Sequence, residues 1–162
     1  MLERARIPES ALPHITMRPA TAADLNRVIQ IEQGSFSDPW SRHAFQGLLG
    51  DRRVLFAVAC PPSGVVTGYV IAWFVADEAE IANLAVAPEV RGQHLGSFLL
   101  DTAIRAARTR GVSSIYLEVR DSNERARALY TSRGFIQIGR RHNYYRRPTE
   151  DALVLRLVLP AS

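Results

Sequence analysis

The middle of the sequence carries a strong helical pattern over residues 95–110, between two runs of strand-forming residues. Its apolar residues recur on one face at helical spacing, namely Leu95, Phe98, Leu99, Ala103, Ala106 and Ala107. Arginines occupy its last turns, where cations suit the helix dipole, and Gly111 follows as an end signal. The flanking runs, residues 81–86 and 114–119, are predicted strands. The two strand–helix units are therefore expected to lie side by side in one sheet, joined by the crossover helix.

The remaining patterns extend this unit to a mixed α/β domain. Further strands are predicted at residues 15–18, 54–59, 65–75, 135–138 and 152–159. Further helices are predicted from Thr21 to about Gly34, over a short segment after Ser41, and over residues 123–133. The predicted order is strand, two helices, three strands, helix, strand, helix, two strands.

The length and composition fit a soluble globular protein. A chain of 162 residues that is 47% hydrophobic and 22% charged is typical of one domain. We expect a flexible leader over residues 1–14 and a single domain over residues 15–160. The one cysteine, Cys60, excludes an internal disulfide, and a packing role is favoured over a nucleophilic one. The longest apolar run, residues 69–76, is too short to span a bilayer, and no signal-peptide pattern is seen, so we expect a cytoplasmic protein without membrane contact.

All twenty basic residues are arginine, and the formal net charge is +4. Such a charge can indicate nucleic acid or an anionic cofactor as a partner. The arginines are spread from Arg4 to Arg156, which favours an ordinary solvated surface instead. The sequence also lacks the aromatic-and-basic strand motif of common RNA-binding sheets. Direct nucleic-acid binding is therefore not expected.

A glycine-bearing turn, residues 90–97, precedes the central helix. A helix start presents unpaired N–H groups and the positive end of the dipole, which together bind phosphate groups. Gly92 and Gly96 allow the backbone to approach an anion closely, and Arg91 adds positive charge. The alternative is an ordinary turn that caps a helix. His94 could contact a phosphate, although an exposed helix-start residue is the favoured interpretation.

Two groups of residues resemble one superfamily. The first is Leu84-Ala85-Val86-Ala87-Pro88 with Arg91-Gly92-Gln93-His94-Leu95-Gly96, which is similar to the coenzyme A motif of the GNAT superfamily of N-acetyltransferases. That motif reads Arg/Gln-x-x-Gly-x-Gly/Ala, and His94 stands at its middle glycine. The second is similar to the ribosomal-protein-alanine N-acetyltransferase branch (RimI-like) and comprises Tyr116 to Asn123, Ala128-Leu129-Tyr130, Arg133-Gly134-Phe135, Arg140 to Tyr145, Ser35-Phe36 and Pro39-Trp40-Ser41.

The resemblance implies a fold and a cosubstrate. The fold is a central, mixed but mostly antiparallel seven-stranded sheet flanked by about four helices, and the cosubstrate is acetyl-CoA without a metal. The pyrophosphate is expected on the turn, at Arg91, Gly92, Gln93, His94, Leu95, Gly96 and Ser97. The pantetheine arm is expected to pair as an extra strand with Leu84, Ala85 and Val86. Asn123 is expected both to cap a helix and to contact the coenzyme.

Acetyl transfer to an amine needs a base and an acid. An N-terminal amine has a pKa near ~8, and it attacks a thioester only after losing its proton. By resemblance, Glu118 is the base, acting through a water, although strand alternation alone would favour a surface glutamate. By resemblance, Tyr130 is the acid that protonates the leaving thiolate. Spacing alone would favour a core aromatic whose hydroxyl finds a partner.

The identity of the acceptor is indicated only by the resemblance, which implies the N-terminal alanine of a small-subunit ribosomal protein and direct attack in a ternary complex. Phe36, Trp40, Tyr144 and Tyr145 either line an acceptor groove or are half-buried packing, and the residues favour neither. Glu32 could meet a basic acceptor, although an ordinary exposed helix residue is favoured.

Alternative functions remain open at this point. One is a GNAT enzyme that acetylates a small amine or protein lysines. Another is a non-catalytic RNA- or ribosome-binding module, and a third is a catalytically silent coenzyme A sensor, which the presence of both Glu118 and Tyr130 disfavours. A monomer or weak dimer is expected.

Overall fold

The computed structural model describes residues 14–161. Its helices are α1 (Leu25–Ser35), α2 (Arg42–Gln46), α3 (Leu95–Thr109) and α4 (Glu124–Ser132). Its strands are β1 (Thr16–Pro19), β2 (Val54–Cys60), β3 (Gly68–Val75), β4 (Glu78–Val86), β5 (Ser114–Arg120), β6 (Ile136–Tyr145) and β7 (Glu150–Val158). The expected leader, residues 1–14, lies outside the described residues except for its last one. Within the described part of the chain, no helix combines the length and apolar character needed to cross a membrane.

The seven strands form one sheet in the order β1-β2-β3-β4-β5-β7-β6. Only β4 and β5 pair in parallel, and every other neighbouring pair is antiparallel. The predicted mixed, mostly antiparallel seven-stranded sheet is therefore confirmed. Helix α3 connects β4 to β5, as a parallel pair requires, so the predicted crossover is also confirmed.

The sheet opens between its two parallel strands. Backbone pairing of β4 with β5 runs from Glu78 and Ser114 to Ile81 and Leu117, and no pair follows. At the same point β4 contains a bulge, because Ala72 of β3 pairs with Ile81 whereas Ile71 pairs with Asn83. A bulge bends its strand and increases the local twist. The two strands therefore separate beyond Ile81 and Leu117, and we call the space between them the β4–β5 gap.

Each face of the sheet has its own apolar core. The face under α3 and α4 buries alternate strand residues, such as Ile81, Leu117 and Leu153, against Leu99 of α3. The opposite face buries another set against α1 and α2, namely Phe56, Val58, Tyr69, Ile71 and Ala85. Residues that alternate with Leu117 on β5, including Glu118, consequently face away from the α3 core.

Several predicted strand boundaries differ from the observed ones. β3 begins at Gly68, not at residue 65, and the carbonyl of Val66 before it accepts a hydrogen bond from Nε of Arg27. β4 begins at Glu78, not at residue 81, and β6 continues to Tyr145, not to residue 138. These extra segments are rich in exposed polar residues, so their apolar alternation is too weak to reveal them. The predicted caps at Ser41 and Asn123 are confirmed, because each side chain accepts a backbone N–H of its helix. Thr21 instead precedes a short 3-10 helix, Ala22–Asp24, where the Asp24 carboxylate accepts the Thr21 N–H, and α1 begins after Asp24.

Candidate active site

The turn before α3 presents free backbone donors. The first N–H group with a helical acceptor is that of Phe98, which donates to the His94 carbonyl, so the N–H groups of Leu95, Gly96 and Ser97 precede the helical ladder. His94 caps the helix with φ +62°, and Gly92 has φ +84°. Both angles lie in the left-handed region that glycine favours, which explains why the resembling motif carries glycine at the position of His94.

Arg91 ties this turn to its surroundings. Its Nε donates to the Val86 carbonyl at 3.2 Å, and its Nη2 donates to the Ser35 hydroxyl at 3.1 Å. The side chain therefore joins the end of β4 to the end of α1. These two contacts could not be predicted from the motif, and the contribution of Arg91 to binding a phosphate group stays a prediction.

The edge of β4 that borders the gap offers unpaired backbone groups. The Ala87 N–H donates to the Thr67 carbonyl on the β3 side. Because backbone groups alternate in direction along a strand, those of Val86 and Leu84 point away from β3 and into the gap. The Val86 carbonyl is taken by Arg91. Within residues 14–161, the Leu84 N–H and carbonyl and the Val86 N–H have no backbone partner, so they can pair with an extended ligand.

Glu118 lies where the gap begins. It follows Leu117, the last β5 residue that pairs with β4. Its side chain is largely buried, and its Oε1 lies 2.6 Å from Nε of Arg141 on β6. It also lines a cavity of about 370 Å³, together with Glu80, Tyr116 and other residues. Glu118 is therefore an anchored carboxylate in a cavity and not a freely solvated surface residue.

The charge of Glu118 affects its neighbours. A hydrogen bond to Glu118 raises the pKa of the Tyr144 hydroxyl. Burial, and then the negative charge of Glu118, raise the pKa of Glu80. Burial also raises the pKa of Tyr145, with a smaller contribution from the charge of Glu118. The carboxylate of Glu118 therefore influences three neighbouring titratable groups.

Tyr130 lies on the opposite face of the sheet from Glu118, in the core beneath α3. Its side chain is 8% exposed and belongs to the α3 core, with its ring packed edge-on against Phe135 at 5.7 Å between centroids. The ring is thus a core aromatic, as spacing alone suggested. Burial raises the pKa of its hydroxyl to about 12, so the phenol keeps its proton at neutral pH. Glu118 and Tyr130 therefore approach the sheet from its two faces, and their catalytic roles stay a prediction.

Asn123 caps α4, since its Oδ1 accepts the Ala126 N–H at 3.1 Å. The capping half of its predicted double role is confirmed, and its coenzyme contact stays a prediction.

The interpretation of Glu32 as an exposed residue is wrong. Its side chain is 1% exposed, and it accepts hydrogen bonds from the Tyr69 hydroxyl, the Asn83 amide at 3.0 Å and the Trp40 N–H at 3.1 Å. Burial raises the pKa of this carboxyl, although the hydrogen bonds from these three donors lower it in part. The signal was present in the sequence, because position 32 follows Leu25 and Val28 on the apolar face of α1.

The four aromatic residues of the predicted groove fall into two groups. Trp40 packs on Phe45 at 5.6 Å and borders the α1–α2 core, which supports packing. Phe36 and Tyr144 are exposed, Tyr144 by 49%, and the Tyr144 and Tyr145 rings meet edge-on at 5.1 Å. The tyrosines lie beside Glu118, as the groove interpretation requires. Sequence reasoning also missed Arg120 and Arg141, both on the Glu118 side of the sheet.

Comparisons with known proteins identify the family of this chain. Residues 25–135 match the Acetyltransferase (GNAT) family. The chain is 38% identical over 146 residues to the [ribosomal protein bS18]-alanine N-acetyltransferase of Escherichia coli, covering 88% of this chain and 96% of that one. It is 34% identical over 141 residues to the corresponding protein of Haemophilus influenzae, covering 85% and 94%.

Solved structures of N-acetyltransferases also match this chain over most of its length. The ribosomal-protein-S18-alanine N-acetyltransferase of Escherichia coli matches with a TM-score of 0.84 at 35% identity, over 91% of this chain and 96% of that one. Ard1 of Thermoplasma volcanium matches with a TM-score of 0.82 at 26% identity, over 90% and 98%. The family match and these relatives, together with the opened parallel pair and the donor-bearing turn, show that the chain belongs to the GNAT acetyltransferase family, whose cosubstrate is acetyl-CoA.

Proposed function

We propose that this protein transfers the acetyl group of acetyl-CoA to the N-terminal α-amino group of a ribosomal protein that begins with alanine. The observation that carries the proposal is the β4–β5 gap, which has free backbone groups of Leu84 and Val86 on one side and Glu118 on the other. The relatives named bS18-alanine N-acetyltransferases support the choice of acceptor, since the chain covers nearly all of their length. This acceptor implies a cytoplasmic enzyme.

Two groups of backbone atoms would bind two different parts of acetyl-CoA. The N–H groups of Leu95, Gly96 and Ser97, with the dipole of α3, suit the pyrophosphate. The unpaired backbone of Leu84 and Val86 suits the amides of the pantetheine arm, which would extend β4 as an added strand. These two sites lie along one path from the start of α3 to the gap, so the thioester would arrive next to Glu118 and Tyr130.

The reaction moves one acetyl group and two protons. The amine nitrogen forms a bond to the thioester carbonyl carbon, and the bond from that carbon to sulfur breaks. Glu118, through a water, takes the proton that the attacking amine loses. Tyr130 gives its proton to the departing sulfur. Because its pKa of about 12 makes it a weak acid, this transfer must accompany cleavage of the carbon–sulfur bond.

The test is a thiol-release assay with wild-type enzyme and acetyl-CoA. The acceptors are short peptides that differ in their first residue, a peptide with a blocked N-terminus and an internal lysine, and free small amines. We expect release with the alanine peptide and little with the others. Because the chain has no lysine, acetylation of its own lysine side chains cannot contribute background. Release with the blocked lysine peptide or a free amine alone would contradict the proposal.

A further inference from the structure

Two loops meet on the Glu118 side of the sheet. The α1–α2 loop, residues 36–41, and the β6–β7 loop, residues 146–149, come from distant parts of the chain. They touch directly, because the Ser37 hydroxyl donates to the Arg146 carbonyl at 3.1 Å. The first loop begins with the exposed Phe36, and the second follows the exposed Tyr144, whose hydroxyl is hydrogen-bonded to Glu118.

Arg120, on β5, donates hydrogen bonds to both of these loops. Its Nη2 donates to the Ser37 hydroxyl at 3.0 Å and to the Arg146 carbonyl at 2.8 Å. Its Nη1 donates to the Pro148 carbonyl at 3.1 Å. One guanidinium group therefore bonds both loops at once, and we call Ser37, Arg120, Arg146 and Pro148 the loop junction.

The guanidinium of Arg120 is itself fixed in place. It forms an ion pair with Glu150 at 3.1 Å, and the same carboxylate accepts the Ser122 N–H at the turn before α4. Its Cζ lies 4.5 Å from the centre of the Tyr145 ring, within the range of a cation–π contact. Residue 120 follows Glu118 by two positions on β5, so both side chains leave the same face of the sheet.

We infer that Arg120 is a positioning residue for the acceptor, because it sets the distance between the two loops and the orientation of Tyr145 beside Glu118. The inference rests on the proposed function. The loop junction needs a planar group with several donors, since four acceptors surround Arg120, in Ser37, Arg146, Pro148 and Glu150. A lysine ammonium has three donors and no planar fork, so it cannot replace the guanidinium here.

Steady-state kinetics of Arg120→Ala and Arg120→Lys test the inference. We expect the KM for an alanine-initiated peptide to rise about tenfold in both variants, as the loss of positioned contacts implies, with the KM for acetyl-CoA unchanged. Ser37→Ala should raise the peptide KM by a smaller factor. The matched control is Arg110→Ala, which also removes a carbonyl contact and a cation–π contact, to Arg52 and Phe74, but leaves both loops untouched. An unchanged peptide KM, full rescue by lysine, or an equal rise in both KM values would overturn the inference.

Limited trypsin digestion gives a readout that does not depend on activity. Trypsin can cut after Arg146 in the β6–β7 loop but not between Arg147 and Pro148, so one defined cleavage reports opening of the loop. We expect faster cleavage after Arg146 in Arg120→Ala and Ser37→Ala than in wild type and Arg110→Ala, because proteolysis follows the population of the open state. Equal cleavage rates would refute the loop junction. If wild-type enzyme acetylates none of the peptides, the proposed function fails while this comparison still decides the role of Arg120.

Discussion

Replacement of Glu32 by alanine should cost a large part of the stability of this protein. The carboxylate is the acceptor for three donors, namely the Tyr69 hydroxyl, the Asn83 amide and the Trp40 N–H. In Glu32→Ala these groups lose their partner, at about 1–3 kcal/mol for each one that stays buried. Tyr69 is fully buried, and the other two are partly buried. We therefore expect a loss of about 4 kcal/mol or more in the free energy of unfolding, out of a usual total of about 5–15 kcal/mol.

Urea unfolding at neutral pH measures this loss, with Gln33→Ala as the control. Gln33 is the next residue of α1 and is exposed, so its replacement should change the free energy of unfolding by less than about 0.5 kcal/mol. Glu32→Gln keeps an acceptor oxygen for Tyr69 and Asn83, and it should cost less than the alanine variant. A cost below about 1 kcal/mol for Glu32→Ala would show that the three donors find water or other partners, and the reasoning would fail.

The difference in the free energy of unfolding between wild type and Glu32→Gln should depend on pH, and its direction follows from the pKa of Glu32. Burial raises the pKa of Glu32, so the native state holds this proton more tightly than the unfolded chain does. The contribution of Glu32 to stability is then largest below its unfolded pKa and decreases as the pH rises through its native pKa. Glutamine cannot lose a proton, so wild type should lose stability relative to Glu32→Gln across this window. Parallel pH profiles of the two proteins would contradict the raised pKa.

Three further outcomes are expected. Tyr130→Phe keeps the ring contact with Phe135 but lacks the hydroxyl proton. Steady-state turnover should therefore fall by about 10²-fold, while coenzyme binding measured by calorimetry stays unchanged. Unchanged turnover would show that Tyr130 is not the acid. Glu118→Gln should lower the rate most at neutral pH and least above the amine pKa of about 8, whereas a pH-independent deficit would indicate a positioning role. His94→Gly should raise the free energy of unfolding by up to about 1 kcal/mol, because φ at this position is +62°; a loss of stability would show that the side chain contributes more than its strain costs.

The features that depend on local sequence were predicted correctly. The apolar periodicity of α3 and the flanking strands predicts the crossover, and the hydroxyl of Ser41 and the amide of Asn123 predict the caps of α2 and α4. These signals act within a few residues, so one sequence contains them in full. The exposed strand β6 was mostly missed beyond residue 138, because polar side chains on an edge strand leave no apolar alternation to read.

The contacts that depend on distant residues could not be predicted. Arg91 donates a hydrogen bond to Ser35, and Arg120 donates hydrogen bonds to Ser37 and Arg146. Glu118 forms an ion pair with Arg141. With twenty arginines in the chain, composition does not tell which of them form several hydrogen bonds within the fold and which are solvated at the surface. The order of the strands decides this, because it determines which carbonyls and carboxylates lie beside each guanidinium group.

The β4–β5 gap makes the two halves of the candidate site depend on each other. The bulge at Ala82 separates β4 from β5, and this single irregularity leaves the Leu84 and Val86 backbone unpaired while it frees the region beside Glu118. Glu32 reaches the same segment through Asn83, which directly follows the bulge, and reaches the α1–α2 loop through Trp40. The buried carboxylate therefore connects the strand that would bind the coenzyme to the loop that would meet the acceptor. A change at Glu32 should accordingly disturb both binding steps, whereas a change at Arg120 should disturb only the acceptor step.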